Sequence, residues 1–435
     1  MSRRFTGSLP LLVLAAVSLA ADKGKDTPSA GKFDWPQWQG PDRVAYSKET
    51  GLLKEWGKDG PPLAWTAKGL GGGYSTPSIA AGRVYGMGSR NGDESIWALD
   101  EKDGKEIWCT EIVAKKAKIG YDEGPRSTPT VDGDRVYAVT GGGELVCVDA
   151  AKGTILWRKN FAADFKGHMM SGWGYCESPL VDGDKLICTP GGDDAALVAL
   201  DKKTGDLIWK SAVPKGGGAG YASVVVAEVG GIRQYITLLG KSAGLVGVDA
   251  KTGKFLWNYN RMANGTANIP TPIVHGDYVL CSTGYGAGSA LLKLEASPND
   301  GTVKVNEVWF HDGKELQNHH GGMVLVGDHV YCGHGHNAGA PICVELMTGK
   351  IAWKEERAPA GGSAAVLFAD GNLYFRYQDG TMALVEASPT AYKLISKFKL
   401  PEPSGKPSWP HPVIANGKLF IRDQDTLLCF DVKQK

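Results

Sequence analysis

The sequence predicts an all-β fold: an eight-bladed β-propeller of four-stranded antiparallel blades, with the N- and C-terminal segments closing the last blade together. Three observations predict it. A strand-rich pattern recurs along the chain and ends each time on an aromatic residue, at Trp65, Trp108, Trp157, Trp209, Trp257, Trp309 and Trp353, with Phe398 in the next slot. Adjacent members of that series lie 43 to 52 residues apart, a period that reads as propeller blades when each repeat holds four short strands. The 60 glycines, about twice ordinary usage, fall in short runs between apolar segments, and no stripe of helical period emerges.

The chain opens on Arg3 and Arg4, followed by an apolar stretch from Leu9 to Ala20 broken by Pro10 and Ser18. Residues 1–20 therefore read as a secretion signal. The stretch is shorter than the roughly 20 apolar residues a membrane-spanning helix needs. The first cysteine is Cys109, so no lipid anchor is expected beside the cleavage site. Residues 21–32, rich in Lys, Gly, Ser and Pro, read as a disordered leader. Residues 33–435 are expected to form one propeller domain, a monomer in the periplasm or secreted.

Within the repeat, Ser/Thr-Pro and a short strand lead through a glycine turn to a second strand. A third strand ends in Asp, a Thr-Gly-Lys-like turn follows, and the fourth strand carries the Trp. Residues 75–112 and 127–161 show it in full, and further copies start near Glu177, Ala222, Thr271, Gly322, Ser363 and His411. The last copy stops before its fourth strand, whereas PPLAWTA at residues 61–67 is a fourth strand with nothing before it. Joining the two makes an eighth blade and removes two exposed sheet edges. Six cysteines (Cys147, Cys188, Cys281, Cys332, Cys343 and Cys429) sit inside apolar runs and read as core thiols rather than disulfide partners.

The copies ALDEKDGKEIW (98–108), ALDKKTGDLIW (199–209) and GVDAKTGKFLW (247–257) resemble the tryptophan-docking motif of the pyrroloquinoline-quinone (PQQ) repeat superfamily. WPQWQGPDR at 35–43 is similar to the opening of secreted bacterial propellers of that kind. The superfamily includes quinoprotein alcohol dehydrogenases and the propeller lipoprotein of the outer-membrane β-barrel assembly machine. The resemblance implies that the tryptophans dock blade against blade, a large aromatic contributing mainly buried area. It also implies two functions. One is a PQQ-dependent dehydrogenase of alcohols or sugars, with calcium as Lewis acid. Such enzymes usually carry a vicinal Cys-Cys disulfide and long insertions, and this sequence has neither adjacent cysteines nor long insertions. The other is a binding module of the cell envelope, whose partner is an envelope protein or a small polar ligand. The second is the reading preferred here.

Aligning the copies places Tyr74, Arg126, Cys176, Ile269, His320 and Trp409 at equivalent entries to the first strands, with Ser75, Ser127, Glu177 and Pro410 one residue later. Tyr221 and Gly362 align less well. Tyr74, Arg126, Trp173, Glu177, Tyr221, His320 and Trp409 are therefore the expected ligand-binding set at the axial opening. The same residues also suit a water-filled funnel. Seven of nine histidines lie between His311 and His411 inclusive. His320, His334 and His336 are the candidate ligands for a transition metal, against a reading as hydrogen-bonded surface groups. Asp193-Asp194 and Asp122-Glu123 are weaker calcium candidates. The net charge is +1 with charges well mixed, so nucleic acid is not an expected partner.

Overall fold

The computed structural model describes Met1 and residues 31–121 and 123–434. Residues 2–20 of the expected signal segment and residues 21–30 of the leader lie outside the described residues, as does Asp122. Eight sheets form the eight predicted blades. They span residues 78–113, 130–160, 180–211, 225–259, 273–311, 323–354, 364–399, and finally 413–431 together with Leu63–Ala67. Leu63–Ala67 is the outermost strand of blade 8 and runs antiparallel to Thr426–Asp431, with Leu63 opposite Phe430, Trp65 opposite Cys429 and Ala67 opposite Leu427. All eight cysteines are free thiols, with only Cys109 and Cys176 partly exposed. Among the described residues no helix is long and apolar enough to cross a membrane.

Every fourth strand breaks register at the same place, one residue before the tryptophan slot. A bulge there leaves one residue unpaired and sharpens the local twist. In blades 1, 2, 3 and 5 the unpaired residue faces solvent, which is why Ile107, Leu156, Ile208 and Val308 are exposed apolar side chains. The ring after it turns toward the next blade. Trp108 donates its Nε1–H to the Ala150 carbonyl of blade 2 at 3.1 Å and packs on Gly153, where an added Cβ would stand 2.7 Å from the ring. Trp65, Trp157, Trp309 and Trp353 likewise donate to carbonyls of the following blade.

Three copies depart from this pattern. The Trp209 ring packs on Gly253 of blade 4, but its Nε1 has no partner among the described residues. Trp257 donates to Gln234 Oε1 within its own blade, because blade 5 replaces the tight turn with a long hairpin, Gly288–Ser297 and Thr302–His311. In blade 7 the slot after the bulge is Ser396, not Phe398. Trp56, from outside the repeat, supplies the ring there. It packs edge-on against Phe398 at 5.2 Å, and its backbone N–H donates to Ser396 Oγ at 3.0 Å.

The N-terminal segment that precedes the first repeat has a role the pattern does not show. Trp35 pairs with Ile79 of blade 1, and the Pro36 carbonyl accepts from Val131 N–H of blade 2. The Arg43 guanidinium donates to the carbonyls of Ser178 and Pro179, leading into blade 3, and of Val224, leading into blade 4. Trp38 Nε1–H donates to Thr271 Oγ1 ahead of blade 5 at 2.9 Å. Gln39 lies against Gly322 ahead of blade 6. Tyr46–Ser47 adds a parallel strand inside blade 7, and the Trp38 ring lies 4.5 Å from that of His411 ahead of blade 8. A short segment that meets the inner edge of all eight blades occupies the axis. Residues 35–47 therefore plug the central channel. Arg43 is 5 % exposed, and burial pulls its pKa down to about 9; three backbone carbonyls satisfy the guanidinium.

Candidate functional site

Above the plug the channel widens into a cup of about 260 Å³. Trp38 forms part of its lining, so the plug contributes to the cup. The residues leading into the first strands provide most of the wall, as the alignment of the repeats predicts. Tyr74, Arg126, Trp173, Tyr221, His320 and Trp409 all line it.

Glu177 is a correction to the expected set. It does not line the cup. Successive side chains point to opposite sides of an extended chain, so with Cys176 on the cavity wall Glu177 points away. It is 2 % exposed, and its Oε1 accepts the Thr189 N–H at 2.5 Å. Burial pushes its carboxyl up to about 7 against the opposing pull of the Arg43 charge.

The rings around the wall form a continuous series. Tyr74 stacks on Trp409 at 4.8 Å and Trp409 on His320 at 4.3 Å. His320 lies 3.6 Å from His319, His319 4.1 Å from His336, and His336 4.3 Å from Tyr285. Tyr121 meets Trp409 edge-on at 5.0 Å, and Trp173 meets Tyr221 at 6.1 Å. Supporting hydrogen bonds fix these rings. Tyr74 donates to Glu123 Oε2 at 2.5 Å, the Tyr221 hydroxyl bonds Ser171 Oγ at 2.6 Å, and Trp409 Nε1–H donates to Gln378 Oε1 at 2.9 Å. Arg126 sits over the Tyr74 ring and gives its guanidinium to the carbonyls of Gly120, Tyr121 and Gly124.

Sequence reasoning missed Trp38, Tyr121, Tyr285, His319, Asn337 and Gln378. Tyr121 and Tyr285 sit on loops with φ of +52° and +58°, a conformation that no pattern of apolar periodicity signals. Adjacent side chains of an extended strand point to opposite sides, yet His319 and His320 both line the cup. They lie in bends ahead of the strand Met323–Val326, where strand alternation does not apply.

The proposed metal set His320, His334 and His336 is not assembled. His334 is absent from the lining; its Nδ1 accepts the Gln317 N–H at 3.2 Å. His319 takes its place beside His320 and His336, with its ring plane tilted by 37° and 34° to theirs. Among the described residues no group of three or more His, Cys, Asp or Glu side chains is placed to hold a metal ion. Burial and the neighbouring imidazoles hold His319 at about 4, and burial holds His411 at about 4. Both are therefore neutral near pH 7.

Residues 93–355 match the model of a family described as outer membrane protein assembly factor BamB. Quinohemoprotein alcohol dehydrogenase ADH IIB of Pseudomonas putida is 28 % identical over 159 residues, 34 % of this chain and 21 % of that protein. The match thus spans about a fifth of that relative's length. The solved BamB of Moraxella catarrhalis superposes with a TM-score of 0.59 at 14 % identity, over 87 % of this chain and 100 % of that one. Quinohemoprotein alcohol dehydrogenase ADHIIG of Pseudomonas putida HK5 superposes with a TM-score of 0.64 at 15 % identity, over 93 % and 81 %. At these identities the structural likenesses show the fold.

The lining residues do not fit a PQQ–calcium pair. PQQ is a polycarboxylate, and calcium takes hard oxygen ligands, carboxylates above all. Among the described residues the lining offers one cation, Arg126, already bonded to three carbonyls, and no carboxylate.

Proposed function

The chain belongs to the PQQ-repeat propeller family described as outer membrane protein assembly factor BamB, and from that premise we propose that it is a non-catalytic binding propeller of the cell envelope, taking a small, uncharged, ring-bearing ligand in its axial cup. The observation that carries this reading is the cup itself: a ring of aromatic side chains from most of the blades, with Trp38 of the plug among them and neutral imidazoles in its wall. Ligand sites are concave, largely apolar and carry a few placed polar groups, and this cavity has that make-up. The signal-like stretch Leu9–Ala20 supports export.

Trp38, Trp173 and Trp409 all line the cup, so binding is read by tryptophan emission. Titration with a set of neutral ring-bearing fragments is expected to give a saturable change for some of them. Filling the cavity with Ile269→Trp is expected to abolish it. A set that produces no saturable change, or a change that survives in the filled variant, contradicts the reading. Parallel titration with PQQ and calcium is expected to give no saturable quinone absorbance; tight, calcium-dependent uptake with dye-linked alcohol oxidation would replace this reading with the dehydrogenase.

A further inference from the structure

Two imidazole nitrogens in the wall of the cup lack hydrogen-bond partners among the described residues. His319 is 3 % exposed, and its Nε2 is buried with no partner among the described residues. Nδ1 of the adjacent His336 ring is buried and unpartnered in the same way. Buried polar atoms in native structures are paired with few exceptions, and each exception calls for an explanation such as a ligand or water. On the same wall, Gln378 gives its carbonyl to Trp409, and Asn337 gives its carbonyl to His319 Nδ1 at 3.0 Å and to Ser363 Oγ at 3.2 Å. Their amide N–H groups remain as donors. The wall of the cup therefore holds unpartnered imidazole nitrogens beside amide donors.

We propose that the cup binds a saccharide, seated end-on with a ring face against the aromatic wall and hydroxyls on His319, His336, Asn337 and Gln378. This assignment rests on the cup being the binding site. Three properties of the wall select the chemistry. A hydroxyl both donates and accepts, so it can donate to His319 Nε2, which the Nδ1–H bond to Asn337 leaves as an acceptor, and can meet His336 Nδ1 in either tautomer. A nucleobase edge, whose donors and acceptors are fixed, meets them in only one. The aromatic rings offer flat apolar faces to the C–H face of a sugar ring, while their polar tips are held by protein partners. The wall also carries little charge: among the described residues Arg126 is the lone charged lining residue, and there is no carboxylate to attract a cationic ligand. Because residues 35–47 close the channel below, a glycan cannot thread through. The site takes a monosaccharide or the end of a chain.

The test is a glycan array of monosaccharides to tetrasaccharides covering hexoses, pentoses, N-acetylhexosamines and uronates, followed by calorimetry on the hits with the whole mature protein. Adenosine, tetramethylammonium and PQQ with calcium serve as comparison ligands. The expected result is saturable binding of at least one neutral saccharide, weakened at least tenfold by His319→Phe and by Gln378→Leu. Circular dichroism and a parent-like melt check that each variant is folded; Asn337→Leu replaces either one that is not. If no saccharide binds while adenosine or PQQ binds and Ile269→Trp blocks it, the saccharide assignment is wrong and the cup remains the site. If a saccharide binds but the folded variants bind it as tightly as the parent does, the assignment to this wall is wrong. If neither the array nor the comparison ligands bind, the saccharide proposal falls, and the fragment titration above decides the cup independently.

Discussion

Trp209 illustrates what a single docking ring contributes. It is 8 % exposed and lies over Gly253, whose φ of +74° is left-handed and where an added Cβ would meet the ring at 2.5 Å. Its Nε1 has no partner among the described residues, so its contribution is packing rather than a hydrogen bond. Trp209→Ala is expected to cost about 3–5 kcal/mol, as buried large-to-small changes do, measured by urea unfolding. A loss below about 1 kcal/mol would show that the ring is not packed. The imidazoles set a pH dependence. His319, His334 and His411 are held at about 4, mainly by burial, and His320 and His336 are also lowered. An unfolded histidine titrates at about 6.5, so between these values the unfolded chain binds more protons. Stability from these groups is present above pH 6.5 and is lost as pH falls toward 4. Glu177, raised to about 7 by burial, acts in the opposite sense: its contribution is present below about 4.5 and is lost as pH rises through 7. Burial also raises Glu49, Glu94 and Glu101, which act in the same sense as Glu177; the imidazoles titrate from 6.5 downward, and the melting temperature is expected to fall from pH 6.5 to 4.5. Glu177→Gln removes its opposing contribution and is expected to steepen the fall in melting temperature from pH 6.5 to 4.5. A melting temperature that rises on acidification contradicts the burial of these imidazoles. At this scale the sequence exposed the entry residues Tyr74, Arg126, His320 and Trp409 through their register in the repeat. It hid Trp38 and Tyr285, whose places depend on a threaded segment and a left-handed loop.

The bulge one residue before each docking slot is the recurring device of the outer strands. It explains why Ile107 and Val308 face water while their neighbours Trp108 and Trp309 reach the next blade. Two elements then close the ring. Leu63–Ala67 completes blade 8, and Arg422 of blade 8 ties that blade to blade 1. Arg422 is 1 % exposed, and its guanidinium donates to the carbonyls of Ser75, Met87, Gly71 and Gln424. Arg422→Met leaves those carbonyls short of donors and is expected to cost about 3 kcal/mol or more, read by denaturant unfolding. A neutral outcome would mean that the junction is held by the strand alone. Removing residues 33–67 deletes both the plug and the closing strand, and the truncated chain is expected to lose cooperative unfolding. A truncated chain that melts like the parent contradicts the closure. The split repeat announced the closing strand plainly, because one copy lacks what residues 61–67 supply. The plug carries no repeat signature. The slot read as Phe398 is Ser396 because a bulge shifts register without leaving a mark in residue spacing.

For the whole molecule, ring closure and channel plugging convert a propeller into a vessel with one open end. Eight blades bring residues more than 300 positions apart, such as Tyr74 and Trp409, into ring contact at 4.8 Å. A rigid scaffold of this kind places loop residues for binding. The fold was legible because repeats announce themselves by period. The ligand was not, because a cup's chemistry is set by loops that differ from copy to copy. The most direct test of the central claim is a crystal structure of the protein soaked with the neutral ring-bearing fragments and saccharides described above. The account predicts ligand density inside the cup, against the Trp409–His320 wall and within hydrogen-bonding distance of His319 Nε2. Fragments bound only along the outer strands, with the cup holding nothing but water, would contradict it.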